Sequence, residues 1–70
     1  MRLRTYNLFA IQNGKTQLLA KYANSTRRLE RVTKPINLGV DINGKTPKTA
    51  AIRLQVVEKQ IGVRFALLSC

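Results

Sequence analysis

The chain has 70 residues, and its 13 Lys and Arg against 3 Asp and Glu give a net charge of +10. A hydrophobic content of 44% excludes a wholly disordered basic tail, because such tails are poor in branched aliphatic residues. A chain this short buries only about 60% of its unfolded surface, so a deep catalytic cleft is not expected. We therefore expect a single small basic domain over residues 1–70.

Several kinds of site are excluded by composition. The sequence contains no His, and its one cysteine is Cys70, so His-based triads, His-liganded metals and a disulfide within these residues cannot form. The remaining acid–base groups are three isolated carboxylates, Lys and two Tyr, so we expect no enzymatic activity and no cofactor. No apolar run approaches the roughly 20 residues that span a bilayer. Residues 6–11 are too short for a signal-peptide core, and we expect a cytoplasmic protein.

The N-terminal part of the chain predicts a β-hairpin. Residues 2–11 are rich in strand formers, and the following Asn13-Gly14 suits a two-residue turn in which both residues need positive φ. A second strand is predicted over roughly residues 16–22. Two apolar cross-strand pairs follow from this register, Phe9 with Leu18 and Leu8 with Leu19.

A short basic helix is predicted after the hairpin. It would begin near Ser25 or Thr26, residue types that favour caps, and would end before Pro35, because the residue that precedes a proline resists the helical conformation. The alternative is one continuous helix over residues 16–33, where apolar residues also fall at helical spacing. Asn24 and its two neighbours, which prefer caps and turns, favour the strand followed by a helix.

The C-terminal half favours strands. Residues 36–42 predict a short strand, and Asn43-Gly44 predicts a second turn. Apolar and polar residues alternate over 50–57 and again over 61–67, which favours a hairpin of two half-buried strands.

A helix is the alternative for the first of these two segments. It would start at Thr46 as the N-cap and Pro47 in the first turn, run to Gln60 and end at Gly62. With the strand interpretation, the expected fold is α+β, a small antiparallel sheet of four to five short strands with one short basic helix. An all-β small barrel is the alternative fold.

Residues 39–46, GVDINGKT, match the P-loop pattern G-x-x-x-x-G-K-T. In a P-loop the backbone N–H groups hold phosphates, the lysine contacts the β and γ oxygens, and the threonine binds Mg²⁺. That chemistry needs a parallel sheet and a second acidic strand, which 70 residues do not provide. We interpret the segment as an Asn-Gly turn followed by a polar loop.

The basic residues carry the functional prediction. On the predicted helix, Arg27, Arg31 and Lys34 fall at i, i+4 and i+7, so they share one face with Arg28 at its border. A cationic face of this kind suits a phosphate backbone. The first strand adds Arg2 and Arg4. Tyr6 lies on the same strand face, where its ring could stack on a base. The predicted binding residues are Arg2, Arg4, Tyr6, Arg27, Arg28, Arg31 and Lys34.

We therefore expect a non-catalytic protein that binds nucleic acid, DNA or RNA, mainly through its phosphate backbone. The alternative is a basic protein-interaction module, an adaptor or inhibitor that docks on an acidic surface of a larger protein. Residues 61–69 are apolar on both strand faces, and such a strand invites pairing with a second copy, so we expect a homodimer through them. A membrane partner is not expected, because residues 25–34 offer few apolar anchors.

Overall fold

The computed structural model describes residues 4–24, 27–34 and 40–69. Within them the chain forms one antiparallel sheet and one α-helix. The strands are β1 (Arg4–Gln12), β2 (Lys15–Asn24), β3 (Glu30–Arg31) and β4 (Arg64–Ser69), and the helix is α1 (Pro47–Ile61). The strand order is β3-β2-β1-β4, an open sheet in which β4 returns from the helix to pair with β1. The expected α+β class is confirmed, and the barrel alternative is not the fold.

The β1–β2 hairpin forms as predicted, with a bulge that the sequence did not reveal. Asn13 and Gly14 both have positive φ, 51° and 73°, as their turn requires. Phe9 pairs with Leu18, but Leu8 pairs with Ala20, so the predicted Leu8–Leu19 pair is wrong. Leu19 is the extra residue of the bulge, where two residues of one strand oppose one residue of the other. Both Leu19 and Ala20 are buried there.

The helix lies at Pro47–Ile61, so the strand predicted over residues 50–57 is wrong and the helical alternative is correct. The hydroxyl of Thr46, the N-cap, accepts a hydrogen bond from the backbone N–H of Thr49 at 3.2 Å. Pro47 occupies the first turn, where its missing N–H has no intrahelical partner to lose. Gly62 ends the helix with φ at 72°, and its N–H donates to the carbonyl of Glu58. An N-cap of this kind is worth about 1 kcal/mol.

Burial along α1 has a helical period. Its buried residues, Ala50, Leu54 and Val57, stand at i, i+4 and i+7. Ile52 and Val56 suggested a strand by alternating with polar residues, yet 56% and 42% of their surfaces are exposed. The two-residue alternation therefore arose by chance within a helix whose buried stripe is narrow.

The short basic helix predicted before Pro35 is wrong in its described part, because residues 27–34 contain no helix. Ser25 and Thr26, its predicted start, lie outside the described residues. Within the segment Glu30–Arg31 forms β3 and pairs with β2. The continuous helix over residues 16–33 is excluded by the same strands. Of the strand predicted over 36–42, residues 40–42 form no strand and the others lie outside the described residues.

Leu29 explains why the segment is extended. Its N–H donates to the carbonyl of Lys45 at 2.8 Å, and its carbonyl accepts from the N–H of Gly44 at 2.7 Å. These two bonds join segments 27–34 and 40–46 and take the place of bonds within a helix. The side chain of Leu29 is fully buried, so the expected inward anchor exists, but on an extended segment.

The core lies between one face of the sheet, here called the inner face, and a layer made by α1 and residues 40–46. Its members are the buried residues Leu8, Ala10, Leu19, Ala20, Tyr22, Leu29, Val40, Ile42, Ala50, Leu54, Val57 and Val63. The other face, the outer face, has no element of the described chain upon it. Ile11, Leu18 and Leu68 there remain 38%, 43% and 56% exposed.

Candidate nucleic-acid interface

Arg31, one of the predicted phosphate ligands, is held inside a polar network. Its Nη1 donates to Oδ2 of Asp41 at 2.5 Å, and its backbone N–H donates to Oδ1 of Asn43 at 2.8 Å. Oδ1 of Asp41 accepts from the Asn43 N–H at 3.0 Å and from the Tyr22 hydroxyl at 3.4 Å. The charge of Arg31 is therefore neutralised by Asp41, and its side chain joins β3 to segment 40–46.

Ionisation within this network is set by the same contacts. Partial burial opposes ionisation of Asp41, but hydrogen bonds from Arg31, Asn43 and Tyr22, together with the charge of Arg31, outweigh it and lower the pKa of the carboxyl. Burial raises the pKa of the Tyr22 hydroxyl, which stays protonated at neutral pH and can donate to Asp41. The ionised carboxylate of Asp41 therefore accepts hydrogen bonds from three donors, Arg31, Asn43 and Tyr22.

Three cationic residues, Arg28, Lys45 and Lys48, lie where segments 27–34 and 40–46 meet the first turn of α1, and Arg27 precedes Arg28 in the chain. Nη1 of Arg28 donates to the carbonyl of Gly44 at 2.9 Å. Lys45 follows Gly44, and its own carbonyl accepts from Leu29, beside Arg28. Lys48 lies in the first turn of α1, which contains no acidic residue. We call this set the basic cluster, and its members are Arg27, Arg28, Lys45 and Lys48.

The basic cluster stands at the positive end of the helix dipole. Acidic side chains near a helix N-terminus stabilise it by about 0.3–1 kcal/mol, and cationic ones have the opposite effect. Lys48 therefore occupies a position where an acidic side chain would stabilise the helix and a cationic one does not. Such a position offers no benefit to folding, but it adds to the positive potential that an anion would meet.

The P-loop match at 39–46 has another explanation. The N–H groups of Gly44 and Lys45, which a P-loop would turn to phosphate, donate instead to the carbonyls of Leu29 and Ile42, at 2.7 and 3.2 Å. Gly44 has φ at 83°, as its turn requires. Gly39 lies outside the described residues. The predicted Asn43-Gly44 turn is confirmed. The described residues that match the P-loop pattern form this turn and the N-cap of α1.

The other predicted binding residues are scattered. Arg4 is exposed at the start of β1, and Lys34 is exposed beyond β3. Tyr6 is half-buried and packs against the core, opposite Tyr22, so its ring is engaged in packing. Arg2 lies outside the described residues. Arg27, Arg28, Arg31 and Lys34 do not share a helix face, since no helix exists there.

Of the predicted set, the structure therefore joins Arg27 and Arg28 to two residues that sequence reasoning missed, Lys45 and Lys48. The missed signal was present in the sequence. The helical alternative that starts at Thr46 would have placed both lysines at a helix N-terminus.

Comparisons add no assignment to this geometry. No protein-family model matches the sequence, and it matches neither a curated protein nor a solved structure. In the part of the chain that the structure describes, no helix has the length and apolar character needed to cross a membrane.

Proposed function

We propose that this protein binds nucleic acid without catalysis, through contacts between its basic cluster and the phosphate backbone. The observation that carries the proposal is that Arg28, Lys45 and Lys48 lie at the positive end of α1, with Arg27 next to Arg28 in the chain and no acid in the first turn. A net charge of +10 on 70 residues has a cost in self-repulsion, and an anionic partner relieves it.

The mechanism is neutralisation of phosphates with release of condensed counterions. Each phosphate contact contributes a slope of about −0.9 to log K against log salt on duplex, and about −0.7 on a single strand. Arg28 is already held by the carbonyl of Gly44, so less side-chain freedom is lost when it binds. Arg31 contributes little, because Asp41 neutralises it. The expected contacts carry no sequence preference, since phosphates are the same at every step.

The test replaces Arg27 and Lys48 together by alanine. Both side chains are exposed, so stability should change by no more than about 0.5 kcal/mol per site. Affinity for random-sequence DNA or RNA should fall, and the salt slope should flatten by about 1.8 units on duplex or about 1.4 on single strands. Fluorescence anisotropy titrations at several salt concentrations measure both quantities.

The matched control removes the same charge elsewhere, with Lys15→Ala and Lys59→Ala. Lys15 follows the hairpin turn, and Lys59 lies roughly 16 Å along α1 from Lys48. This variant should keep nearly the parent slope, because its lysines lie outside the basic cluster. Equal losses in both double variants would show that total charge, not the cluster, provides the affinity.

Weak binding by the parent at low salt, with a flat salt slope, would refute the proposal. The alternative of a basic module that docks on an acidic protein would then take its place.

We place the protein in the cytoplasm, where a single cysteine stays reduced and nucleic acid is accessible.

A further inference from the structure

We propose that two copies of this chain pair antiparallel along the free edge of β4, about a two-fold axis at Ala66, to form one continuous eight-stranded sheet. The strand order β3-β2-β1-β4 leaves β4 with β1 on one side only, and no other strand of the described residues lies beside it. The proposal gives the homodimer predicted from residues 61–69 a specific geometry. It does not depend on nucleic-acid binding.

The two edges of the sheet differ in how well they are protected. At one edge β3 has only two residues, Glu30 and Arg31, and both are charged. Short and charged edge strands resist pairing with another chain. At the other edge β4 has six residues, RFALLS, with no proline and a single charge at Arg64. Residues 15–20 of β2, which β3 does not reach, carry the polar residues Lys15, Thr16 and Gln17 and the bulge at Leu19, and these features also resist pairing. The edge of β4 lacks such protective features.

Both faces of β4 are apolar, which a strand inside a sheet requires. Phe65 and Leu67 lie on the inner face and pack against the core, although each is only half-buried. Ala66 and Leu68 lie on the outer face, where Leu68 is 56% exposed. These side chains lack a neighbouring strand on the second side of β4, and the β4 of a second copy supplies it.

A two-fold axis at Ala66 gives a self-complementary register. Residues directly opposite each other in an antiparallel pair share a face. Phe65 then stands opposite Leu67 of the second copy on the inner face, which joins the two cores through an aromatic–aliphatic pair. Arg64 stands opposite Leu68 of the second copy on the outer face, and the small Ala66 meets itself at the axis.

The basic cluster adds little charge repulsion between the copies at this edge, where the charged residue of β4 is Arg64. The basic cluster lies beyond β2, next to β3, and three strand spacings of about 4.8 Å separate β3 from β4. That distance exceeds the Debye length of about 8 Å at physiological salt. One strand pair buries less than the roughly 800 Å² per partner of a standard interface, so we expect a micromolar dissociation constant.

The test compares Leu68→Lys with Leu68→Glu by sedimentation equilibrium of the full chain. In the proposed register, lysine meets the partner's arginine at two symmetric places, whereas glutamate forms two cross-strand ion pairs there. Like charges directly opposite each other destabilise a cross-strand pair and opposite charges stabilise it, so with two such pairs the Leu68→Lys dimer should dissociate at least about fourfold more readily than the Leu68→Glu dimer. Circular dichroism should show the same fold in both, because Leu68 is exposed.

Leu18 provides the matched control position. It lies on the outer face of β2, is 43% exposed, and is separated from β4 by β1. Leu18→Lys and Leu18→Glu should leave the dissociation constant within about twofold of the parent. Loss of the dimer in these two variants would instead assign the contact to the outer face or to the edge of β2, and would overturn the proposal. A parent that stays monomeric at several hundred micromolar, or equal constants for the two Leu68 variants, would overturn the proposal.

Discussion

Leu29 holds together the two segments that form the basic cluster, and its replacement by alanine should unfold the protein under mild conditions. The side chain is fully buried in the core cluster, while its backbone bonds to Gly44 and Lys45. Leu29→Ala removes three carbons from the place where segments 27–34 and 40–46 meet. The backbone bonds do not involve the side chain, so the measured loss reports the packing alone.

The size of the loss follows from burial. Leucine to alanine at fully buried sites costs about 2–5 kcal/mol, the sum of lost transfer energy and the cavity that remains. We expect about 3 kcal/mol here, since a short loop segment can relax in part toward the cavity. A domain of this size has a total stability of roughly 3.5–10 kcal/mol, so the variant should lose a third of it or more.

Urea unfolding followed by circular dichroism measures this loss. With a slope near 1 kcal/mol per molar, the midpoint should fall by roughly 3 M while the slope stays constant. Val32→Ala is the matched control, because Val32 lies in the same segment and is 61% exposed, so its loss should stay within about 0.5 kcal/mol. A loss below about 1 kcal/mol for Leu29→Ala, or equal losses for the two variants, would refute this account of the segment.

Two further predictions concern the cap of α1 and the network at Asp41. Thr46→Ala should lower the free energy of unfolding by about 1 kcal/mol, while Thr46→Ser, which keeps the hydroxyl that accepts from Thr49, should lose little; urea midpoints of the two variants decide this. The pKa of Asp41 is lower in the folded protein than in the unfolded chain, so its contribution to stability is present above the unfolded pKa and is lost as pH falls through the folded value. Asp41→Asn should therefore reduce stability at pH 6 and show a smaller decline than the parent between pH 5 and 2; parallel declines would contradict the assignment.

The parts of the fold that local sequence determines were predicted well. Asn13-Gly14 sets its turn through backbone preferences of two adjacent residues, and Phe9 pairs with Leu18 as a consequence. At the next residue, Leu19, a bulge changes the pairing, and no local preference indicates it. A bulge forms because Leu19 and Ala20 both reach the core, and that depends on the layer above the sheet.

The errors have a common origin in contacts distant along the chain. Residues 27–34 have cap and helix formers, but the bonds of Leu29 to Gly44 and Lys45 make the segment extended. In α1 the local cap residues indicated the helix, and a chance alternation around Leu54 obscured them. The same error affected the prediction of the site, because the bonds of Leu29 bring Lys45 close to Arg28, and the start of α1 after Thr46 places Lys48 near them.

The proposed dimer and the proposed interface have a joint consequence for binding. In the eight-stranded sheet a two-fold axis perpendicular to the sheet keeps both basic clusters on one side. The two β3 strands would stand seven strand spacings apart, at most about 34 Å, which sheet twist shortens. One turn of duplex DNA spans about 34–36 Å, so one face of a straight duplex could meet both clusters.

This geometry predicts that dimerisation and duplex binding are coupled. Leu68→Lys adds a positive charge, which on charge alone should strengthen binding to an anion. Because Leu68→Lys weakens the proposed dimer, it should instead bind a 20-base-pair duplex less tightly than Leu68→Glu does. The Leu68→Glu variant should bind the more tightly of the two despite its added negative charge. On a 6-base-pair duplex, too short to meet both clusters, the order should reverse and follow charge. If Leu68→Lys binds more tightly than Leu68→Glu on both lengths, dimerisation and duplex binding are not coupled. The basic cluster of each copy would then bind nucleic acid independently.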